Sequence, residues 1–464
     1  MKWSPRFFRA LAWCALFISA AAAPFILFAG LEGRADIARG FTVTVVLGVF
    51  LGGVARAGTR KVHGPAGASA ALRLALFGWL LSPLLAAPPL VAATGSLPRG
   101  VFEAFSALTT TGAITLSPEA AGVSITLWRC VLAWLGGLGS LVLAATVFAA
   151  LDRRGVGLRR TYLLTVEHAD LFTNFGRALR RFGAIYMGLT LTGFMLLLLL
   201  GTPPYDSLCL ALSGLATAGL TPRSEALDLW MSPLAQCVLA LICLSGAWNM
   251  AVQYDLASRR RISRGSGELR AILVLGLGAA LYLAVSGHPG QALSGALDMV
   301  FAVTTAGFQT QAAPVLPLTL LVLIAMAGGS TISTSGGIKM PRILLLLRRA
   351  GGELSSLSHP SAAVRTRFIG RPVSDSALAG VWVYALAYPA ALGLGAVALG
   401  AAGVTFEQAW MVSTASLVNA GPLAGVDYAA LPPAALAVSG FIMVLGRLEV
   451  LAAAAAFYVI FARD

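Results

Sequence analysis

The chain has 464 residues, of which 58% are hydrophobic and only 11% are charged, and its formal net charge is +14 at pH 7. This composition excludes a soluble globular protein, because the surface of such a protein needs a much larger share of polar residues. Apolar runs long enough to cross a hydrocarbon layer about 30 Å thick recur from one end of the chain to the other. The composition therefore predicts an all-α membrane protein with many spans.

Ten apolar runs are each predicted to cross the membrane once. In chain order they are 10–30, 38–54, 74–95, 127–150, 182–201, 232–256, 269–286, 316–347, 376–402 and 432–461. The first run is basic at its start and rich in alanine, and it resembles a signal peptide with a cleavage site near Ala21–Ala23. Because the run continues to Gly30, beyond the roughly 7–15 apolar residues of a signal peptide, we expect an uncleaved first span.

The positive charges fall mainly on one side of these spans. If the N-terminus is cytoplasmic, most of the 33 Lys and Arg residues lie in the cytoplasmic segments 1–10, 55–73, 152–181, 258–270 and 339–372 and in the C-terminal tail. Cytoplasmic loops of membrane proteins carry such an excess of Lys and Arg. The net charge therefore indicates a topology with both termini in the cytoplasm, and not a surface for nucleic acid.

Four further segments lie between spans and are too short to cross and too apolar for ordinary loops: 98–113, 204–221, 290–310 and 405–423. Near its end each has a glycine that follows small or hydroxyl-bearing residues. We call these endings glycine segments 1 to 4: Thr109-Thr110-Thr111-Gly112, Ala216-Thr217-Ala218-Gly219, Thr304-Thr305-Ala306-Gly307 and Val418-Asn419-Ala420-Gly421. The pattern indicates a diverged fourfold repeat of helix, re-entrant pore helix, extended turn and helix around a central pore.

The glycine segments have the residue types that an ion selectivity filter needs. Extended backbone at membrane depth is costly unless its carbonyl groups find partners, and a dehydrated cation needs rings of oxygen atoms. Glycine tolerates a positive φ, so its carbonyl group can turn towards a central axis, and Thr and Asn side chains add oxygen atoms. Helix packing by small residues is the alternative, but four copies in register favour a filter.

The predicted span 316–347 contains four glycines and five hydroxyl residues between Gly328 and Lys339. Such a stretch does not hold a regular helix in lipid, so we predict a polar intramembrane loop that could gate the pore; a simple kink between packed helices is the alternative. A phosphate-binding loop is disfavoured, because Ile338 separates Gly337 from Lys339 and breaks the required spacing. The candidate gate residues are Gly328, Gly329, Ser330, Thr331, Gly336, Gly337 and Lys339, joined by Arg447 and Glu449 of the last span.

Arg447 and Glu449 are ionisable residues inside a predicted span. Such residues are costly at that depth and usually face the interior of the helix bundle with a partner. A structural salt bridge and a gating contact are both open interpretations of this pair.

Taken together, these motifs resemble the Trk/Ktr/HKT superfamily of potassium transporters over nearly the whole chain, and most closely its TrkH type, which has two additional N-terminal spans. The resemblance rests on the glycine segments, the intramembrane loop, Trp134-Leu135-Gly136-Gly137-Leu138-Gly139, His359-Pro360, Asn419-Ala420-Gly421-Pro422 and Gly446-Arg447-Leu448-Glu449. In the family, glycine at all four positions accompanies a preference for K⁺. Thr217, Leu220, Ala306 and Leu423 depart from the usual Asn, Phe, Thr and Gly, which leaves the strength of that preference over Na⁺ open.

The resemblance implies uptake of K⁺ through a gated, channel-like pore in the cytoplasmic (inner) membrane. It also implies a homodimer controlled by a cytosolic nucleotide-binding regulatory subunit (TrkA-like), with Arg447 and Glu449 holding the loop and no organic cofactor on this chain. The predicted divisions are two extra N-terminal helices (1–69) and pore repeats at 70–155, 156–260, 261–350 and 351–464.

Two other functions remain open from the sequence. A Na⁺- or H⁺-coupled potassium symporter on the same fold would need a second ion site, for which no Asp or Glu is convincingly placed in a span. An intramembrane enzyme would need a catalytic set, but His63, His168, His288 and His359 all lie near predicted loops. We therefore expect a transporter and not an enzyme.

Overall fold

The computed structural model describes residues 5–59, 68–152, 171–259, 267–359, 367–368, 371–373 and 375–461. These residues are almost wholly α-helical. The helices are α1 (Pro5–Leu31), α2 (Ala35–Gly58), α3 (Ala68–Ala86), α4 (Pro88–Thr94), α5 (Leu97–Leu108), α6 (Pro118–Asp152), α7 (Leu171–Leu199), α8 (Pro204–Leu215), α9 (Pro233–Ala247), α10 (Met250–Arg259), α11 (Glu268–Val285), α12 (Ala292–Val303), α13 (Leu318–Ala327), α14 (Met340–Ser358), α15 (Asp375–Ala401), α16 (Phe406–Val418), α17 (Pro433–Arg447) and α18 (Val450–Phe461). Two antiparallel strands of two residues each, β1 (Arg367–Phe368) and β2 (Arg371–Pro372), are the only strands in the described part of the chain.

Six of these helices are long and apolar enough to cross a membrane, namely α1, α2, α6, α7, α11 and α15. Three helix pairs would each do so as one bent span: α3 with α4 (50°), α9 with α10 (99°) and α17 with α18 (100°). The prediction of a multi-pass, all-helical membrane protein is confirmed.

The run predicted at 316–347 is interrupted as expected, because α13 ends at Ala327 and α14 begins at Met340. The sharp bends within 232–256 and 432–461 were not predicted from the sequence. They occur at Trp248, which is extended (φ −82°, ψ 153°), and at Glu449, which has φ 59°. Neither conformation continues a right-handed helix, so the chain turns at these two positions.

Four short helices of 12 or 13 residues, α5, α8, α12 and α16, lie between the longer ones. Each is preceded by a longer or bent helix, and α5, α8 and α16 are also followed by one, whereas α12 is followed by the ten-residue α13, the loop and α14. A similar succession of elements thus occurs four times after the α1–α2 hairpin. Each short helix ends at a glycine segment, which places those segments inside the protein.

Helices α1 and α2 pack closely against each other because small residues of α2 lie at their contact. A Cβ atom at Gly48 would lie 1.9 Å from the Ser19 hydroxyl oxygen, and one at Gly52 would lie 2.7 Å from Leu16. Such small residues let membrane helices approach each other. The turn of the hairpin is joined to α6, where the Glu32 carboxylate accepts hydrogen bonds from the Ser124 N–H (2.8 Å) and hydroxyl (2.6 Å).

Parts of all six predicted cytoplasmic segments lie outside the described residues, namely 1–4, 60–67, 153–170, 260–266, 360–366 with 369–370, and 462–464. Pro360 of the His359-Pro360 motif and the predicted divisions at 155/156 and 260/261 fall there. Histidines 63 and 168 also lie outside the described residues.

Candidate ion pathway

The four glycine segments meet at one cavity. It has a volume of about 590 Å³ and is lined by Gly112, Gly219, Gly307 and Gly421, together with the residues that follow each of them. All sixteen residues of the glycine segments are buried. We call this cavity the vestibule, and the opposite side of the glycine segments the loop side.

The backbone of the glycine segments has an unusual conformation that repeats in all four. The residue two places before each glycine has a positive φ: Thr110 (58°), Thr217 (53°), Thr305 (60°) and Asn419 (57°). A residue other than glycine seldom adopts such a φ, and the three β-branched threonines do so least readily. The conformation costs of the order of 1–3 kcal/mol and persists only where the surrounding structure imposes it. Strain of this kind at four equivalent positions marks a functional constraint.

Three of the four glycines have the conformation that the sequence predicts. Gly112, Gly219 and Gly307 have φ values of 76°, 70° and 71°. The expectation is wrong for Gly421, which has no positive φ. Glycine is needed there for close approach, since a Cβ atom would lie 2.6 Å from the Ala113 nitrogen.

The segments close into a ring in chain order. A Cβ atom at Gly112 would lie 1.7 Å from the Ala218 carbonyl oxygen of segment 2, and one at Gly219 would lie 1.9 Å from the Ala306 carbonyl oxygen of segment 3. The Gly421 N–H of segment 4 donates to the Thr111 carbonyl oxygen at 2.7 Å. Backbone therefore packs against backbone between segments 1 and 2, 2 and 3, and 4 and 1, whereas Gly307 of segment 3 faces the side chains of Pro422 and Leu423 after segment 4.

Segment 4 differs from the other three. Its helix runs one residue further, so Val418 is the last residue of α16 and not part of an extended turn. The Asn419 side-chain amide donates to the Thr111 hydroxyl (3.0 Å) and to the Met443 carbonyl oxygen (3.0 Å). This side chain thus ties segment 4 to segment 1 and to α17.

All four short helices direct their C-terminal ends at the glycine segments, since each helix stops there. The C-terminus of a helix carries a partial negative charge, equivalent to about half an elementary charge, from its aligned peptide dipoles. Four such ends around one point favour a cation over an anion.

Buried carboxylates on the vestibule side hold the chain after segments 1 and 3. The Glu103 carboxylate accepts from the Thr115 N–H (2.9 Å) and hydroxyl (2.8 Å) and forms an ion pair with Arg129 (2.6 Å). The Asp298 carboxylate accepts from the Thr310 N–H (2.9 Å) and hydroxyl (2.8 Å). These residues were not predicted from the sequence, although in both repeats an acid precedes the glycine by nine places and a threonine follows it by three.

Glycines on the following helices support the segments from the loop side. A Cβ atom at Gly136 would lie 1.8 Å from the Leu108 carbonyl oxygen, one at Gly246 would lie 2.2 Å from that of Leu215, and one at Gly446 would lie 2.2 Å from that of Leu417. Each of these leucines precedes its segment's glycine by four places. Gly136 and Gly446 belong to motifs recognised in the sequence, but their contacts were not predicted, and Gly246 was not predicted at all.

The loop from Gly328 to Lys339 lies directly against the glycine segments. The Gly336 N–H donates to the Thr305 hydroxyl oxygen (2.9 Å), and the Thr334 hydroxyl donates to the Leu215 carbonyl oxygen (2.9 Å). A Cβ atom at Gly336 would lie 1.8 Å from the Val418 carbonyl oxygen. The loop thus reaches the ends of the second, third and fourth short helices.

Within the loop, the predicted gate residues form a compact turn. The Gly329 N–H donates to the Ser335 hydroxyl (3.0 Å), and the Met340 N–H donates to the Gly329 carbonyl oxygen (2.9 Å). Gly328 and Gly337 have positive φ values of 65° and 77°. All the predicted gate residues are buried except Thr331, which is partly buried. Thr331 lines a small cavity of about 40 Å³ on the loop side.

Two basic side chains hold carbonyl oxygens of the loop. The Arg447 guanidinium donates to the Thr334 carbonyl oxygen (2.5 Å) and also to the Ser140 hydroxyl of α6. The Lys339 ammonium donates to the Ser335 carbonyl oxygen (2.5 Å). Hydrogen bonds with a charged donor are the stronger kind, so these two contacts fix the loop where it lies.

Arg447 and Glu449 do not form the simple salt bridge that was one interpretation of the sequence. The Glu449 carboxylate pairs instead with Arg342 of α14 at 2.5 Å. The Arg342 guanidinium also lies over the Tyr384 ring of α15, 4.1 Å from its centroid. Arg342 was not predicted, because no local pattern relates it to a residue 107 places away.

Comparison with known proteins agrees with this geometry. Residues 89–275 and 274–464 match the model of the TrkH family, described as cation transport proteins. The Trk system potassium uptake protein TrkH of Salmonella typhimurium is 28% identical over 438 residues, which cover 90% of this chain and 91% of that protein. The TrkH of Halomonas elongata is 31% identical over 400 residues, covering 81% and 82%.

The fold is also that of a solved structure. The crystal structure of the potassium transporter TrkH from Vibrio parahaemolyticus superimposes with a TM-score of 0.85 at 23% identity, covering 98% of this chain and 100% of that one. These relatives are transport proteins, in agreement with the expectation of a transporter and not an enzyme. The chain belongs to the TrkH family of cation transport proteins.

Proposed function

We propose that the protein takes up K⁺ through a gated, channel-like pore. The observation that carries the proposal is the ring of four strained glycine segments, which opens to one vestibule in a chain whose relatives are potassium uptake proteins. In this proposal Thr109–Gly112, Ala216–Gly219, Thr304–Gly307 and Val418–Gly421 form the selectivity filter. Their carbonyl and side-chain oxygen atoms would replace the hydration shell of the ion.

The gate in this proposal is the loop from Gly328 to Lys339. The loop lies against the inner ends of the filter segments, whereas the vestibule on the other side is more than tenfold larger than the cavity beside the loop. Arg447 and Lys339 hold the loop by its carbonyl oxygens. Movement of the loop away from the filter would open the path.

The assembly and its orientation belong to the same proposal. The chain would form a homodimer in the cytoplasmic membrane, bind a cytosolic nucleotide-binding subunit, and have both termini in the cytoplasm. The divisions 1–69, 70–155, 156–260, 261–350 and 351–464 would be the N-terminal hairpin and four pore repeats. A single cysteine at position 260 should react with a membrane-impermeant reagent only from the cytoplasmic side, and labelling from outside would overturn this orientation.

The function is tested by ion flux into proteoliposomes that contain the purified protein. We expect K⁺ uptake to exceed Na⁺ uptake and to proceed equally with and without an imposed pH or Na⁺ gradient. Uptake that depends on either gradient would establish the symporter, and equal K⁺ and Na⁺ uptake would contradict the filter.

The filter assignment is tested by Gly307→Ser compared with Gly112→Ser. The positive φ strains a serine at either position, but at Gly307 the nearest atoms are side-chain atoms of Leu423 (3.3 Å) and Pro422 (3.5 Å), whereas a side chain at Gly112 would also collide with backbone. We therefore expect Gly307→Ser to fold and to lose K⁺ preference, and Gly112→Ser also to reduce the yield of folded protein. An unchanged K⁺/Na⁺ uptake ratio in folded Gly307→Ser would count against the filter.

A further inference from the structure

The loop does more than lie beneath the glycine segments, because it binds side-chain oxygen atoms of the segments themselves. The Gly336 N–H donates to the Thr305 hydroxyl oxygen at 2.9 Å, and the Thr334 hydroxyl oxygen lies 3.4 Å from that of Thr217. Thr217 and Thr305 are equivalent residues, each two places before its segment's glycine, and both have a positive φ. The loop therefore engages the same level of the ring in two neighbouring segments.

The equivalent residue of segment 1 is left without a partner. The Thr110 hydroxyl is buried, and no hydrogen-bond partner for it exists in the described part of the chain. At this level, therefore, one threonine hydroxyl is unpartnered and two face the loop. A buried hydroxyl without a hydrogen-bond partner is destabilising, which indicates that this level is built to receive a ligand.

The loop also opposes a cation at this level electrostatically. The Gly336 N–H points its positive end at the Thr305 oxygen. The Lys339 ammonium group donates to the Ser335 carbonyl oxygen, which belongs to the same peptide group as that N–H. A cation bound by the Thr305 and Thr217 oxygens would face both positive groups across a medium of low dielectric constant. A cation at this level and the loop in its present position therefore destabilise each other.

We propose that the loop and the permeating cation compete for the innermost level of the filter, formed by Thr110, Thr217 and Thr305, so that occupancy of this level by K⁺ promotes release of the loop. This inference rests on the proposed function of the segments as a K⁺ filter. Because coupling between two binding events is reciprocal, a displaced loop also raises the affinity of this level for K⁺. Ion binding in the filter and movement of the gate are then thermodynamically coupled.

The test measures loop exposure and not flux. Thr331 is partly buried and lines the small cavity on the loop side, so the variant Thr331→Cys should react with a small neutral methanethiosulfonate when the loop moves. We expect the reaction to be about fivefold faster in K⁺ than in Na⁺ at equal ionic strength, the lower end of typical allosteric coupling. The protein without the added cysteine gives the background from the native thiols.

Threonine substitutions provide the matched variants. Thr305→Val removes the oxygen that the loop and the cation share, and should abolish the K⁺ advantage, whereas Thr305→Ser should keep it. Thr192→Val is the control, since the exposed Thr192 hydroxyl donates to the Gly188 carbonyl oxygen of its own helix α7 (2.9 Å) and lies outside both the glycine segments and the loop. If Thr305→Val does not fold, Thr334→Val should expose the loop already in Na⁺ and so shrink the advantage.

Equal reaction rates in K⁺ and Na⁺, or an undiminished K⁺ advantage in folded Thr305→Val or Thr334→Val, would overturn the coupling. The proposed function would survive that result provided that the flux remains selective for K⁺. Loss of K⁺ selectivity in the parent protein would instead remove the filter assignment itself.

Discussion

The bend between α9 and α10 and the bend between α17 and α18 have nearly the same angle, 99° and 100°, yet they hold the loop by different chemistry. At the first bend the contacts are backbone hydrogen bonds. The Ser330 and Thr334 N–H groups donate to the carbonyl oxygens of Ala247 and Gly246, and the Met250 N–H donates to that of Ile332, all at 2.8–3.0 Å. At the second bend the contacts come from charged side chains.

We call the α17–α18 bend the charged bend and the α9–α10 bend the neutral bend. At the charged bend Arg447 binds the loop, and Glu449 binds Arg342 of α14, the helix that follows the loop. Backbone hydrogen bonds in apolar surroundings have no alternative partner, so they are costly to break. A guanidinium group on a flexible side chain can instead be rehydrated or take another partner as the loop moves. We infer that the α9–α10 bend is the fixed attachment of the loop and the α17–α18 bend is the releasable one.

The largest expected effect on stability is at the charged bend, in Glu449→Ala. This change leaves the buried Arg342 guanidinium without its counter-charge, and breaking a buried pair in this way costs about 3–5 kcal/mol. We expect a strong decrease in the thermal stability of the purified protein. Glu407→Ala, at an exposed position in the first turn of α16, is the control, and equal stability of the two variants would contradict the assignment.

The largest expected effect on gating comes from Arg447→Ala. Loss of a charge-assisted hydrogen bond worth about 1.5–3 kcal/mol should raise K⁺ flux per folded protein about tenfold or more in the absence of any regulatory subunit. The change does not strand Glu449, which keeps Arg342.

Arg99→Ala provides the matched control for this flux measurement. Arg99 is exposed and donates to the Ala429 carbonyl oxygen (2.8 Å), far along the chain from the loop. Its removal should leave the flux unchanged. If Arg447→Ala behaves like Arg99→Ala, the charged bend is not the releasable contact.

The smallest effect is expected at the neutral bend. The Asn249 side-chain oxygen accepts from the Ala251 N–H at 3.0 Å and so caps α10. Asn249→Ala should cost about 1 kcal/mol of stability without raising the flux, because the loop's contacts here are made by backbone atoms. Asn249→Ser, which keeps an acceptor, should be close to the parent, and a flux increase in Asn249→Ala would erase the distinction between the two bends.

Much of the candidate ion pathway is determined by local sequence. The glycine segments repeat at fixed positions relative to short apolar helices, and the loop has a composition that no lipid-facing helix tolerates. Both features follow from which backbone conformations each residue type permits. For that reason the ring of segments and the break between α13 and α14 could be predicted without tertiary structure.

The amino-acid sequence by itself therefore determined the helical membrane class, the four segments and the position of the loop, because these depend on hydropathy and on local backbone preference. Only the tertiary structure decided which groups meet. It assigned Glu449 to Arg342, Arg447 to the Thr334 carbonyl oxygen, and the Gly336 amide to Thr305. These contacts join residues 31 to 113 places apart, and a charge or a hydroxyl group has no local pattern that shows which distant partner will satisfy it.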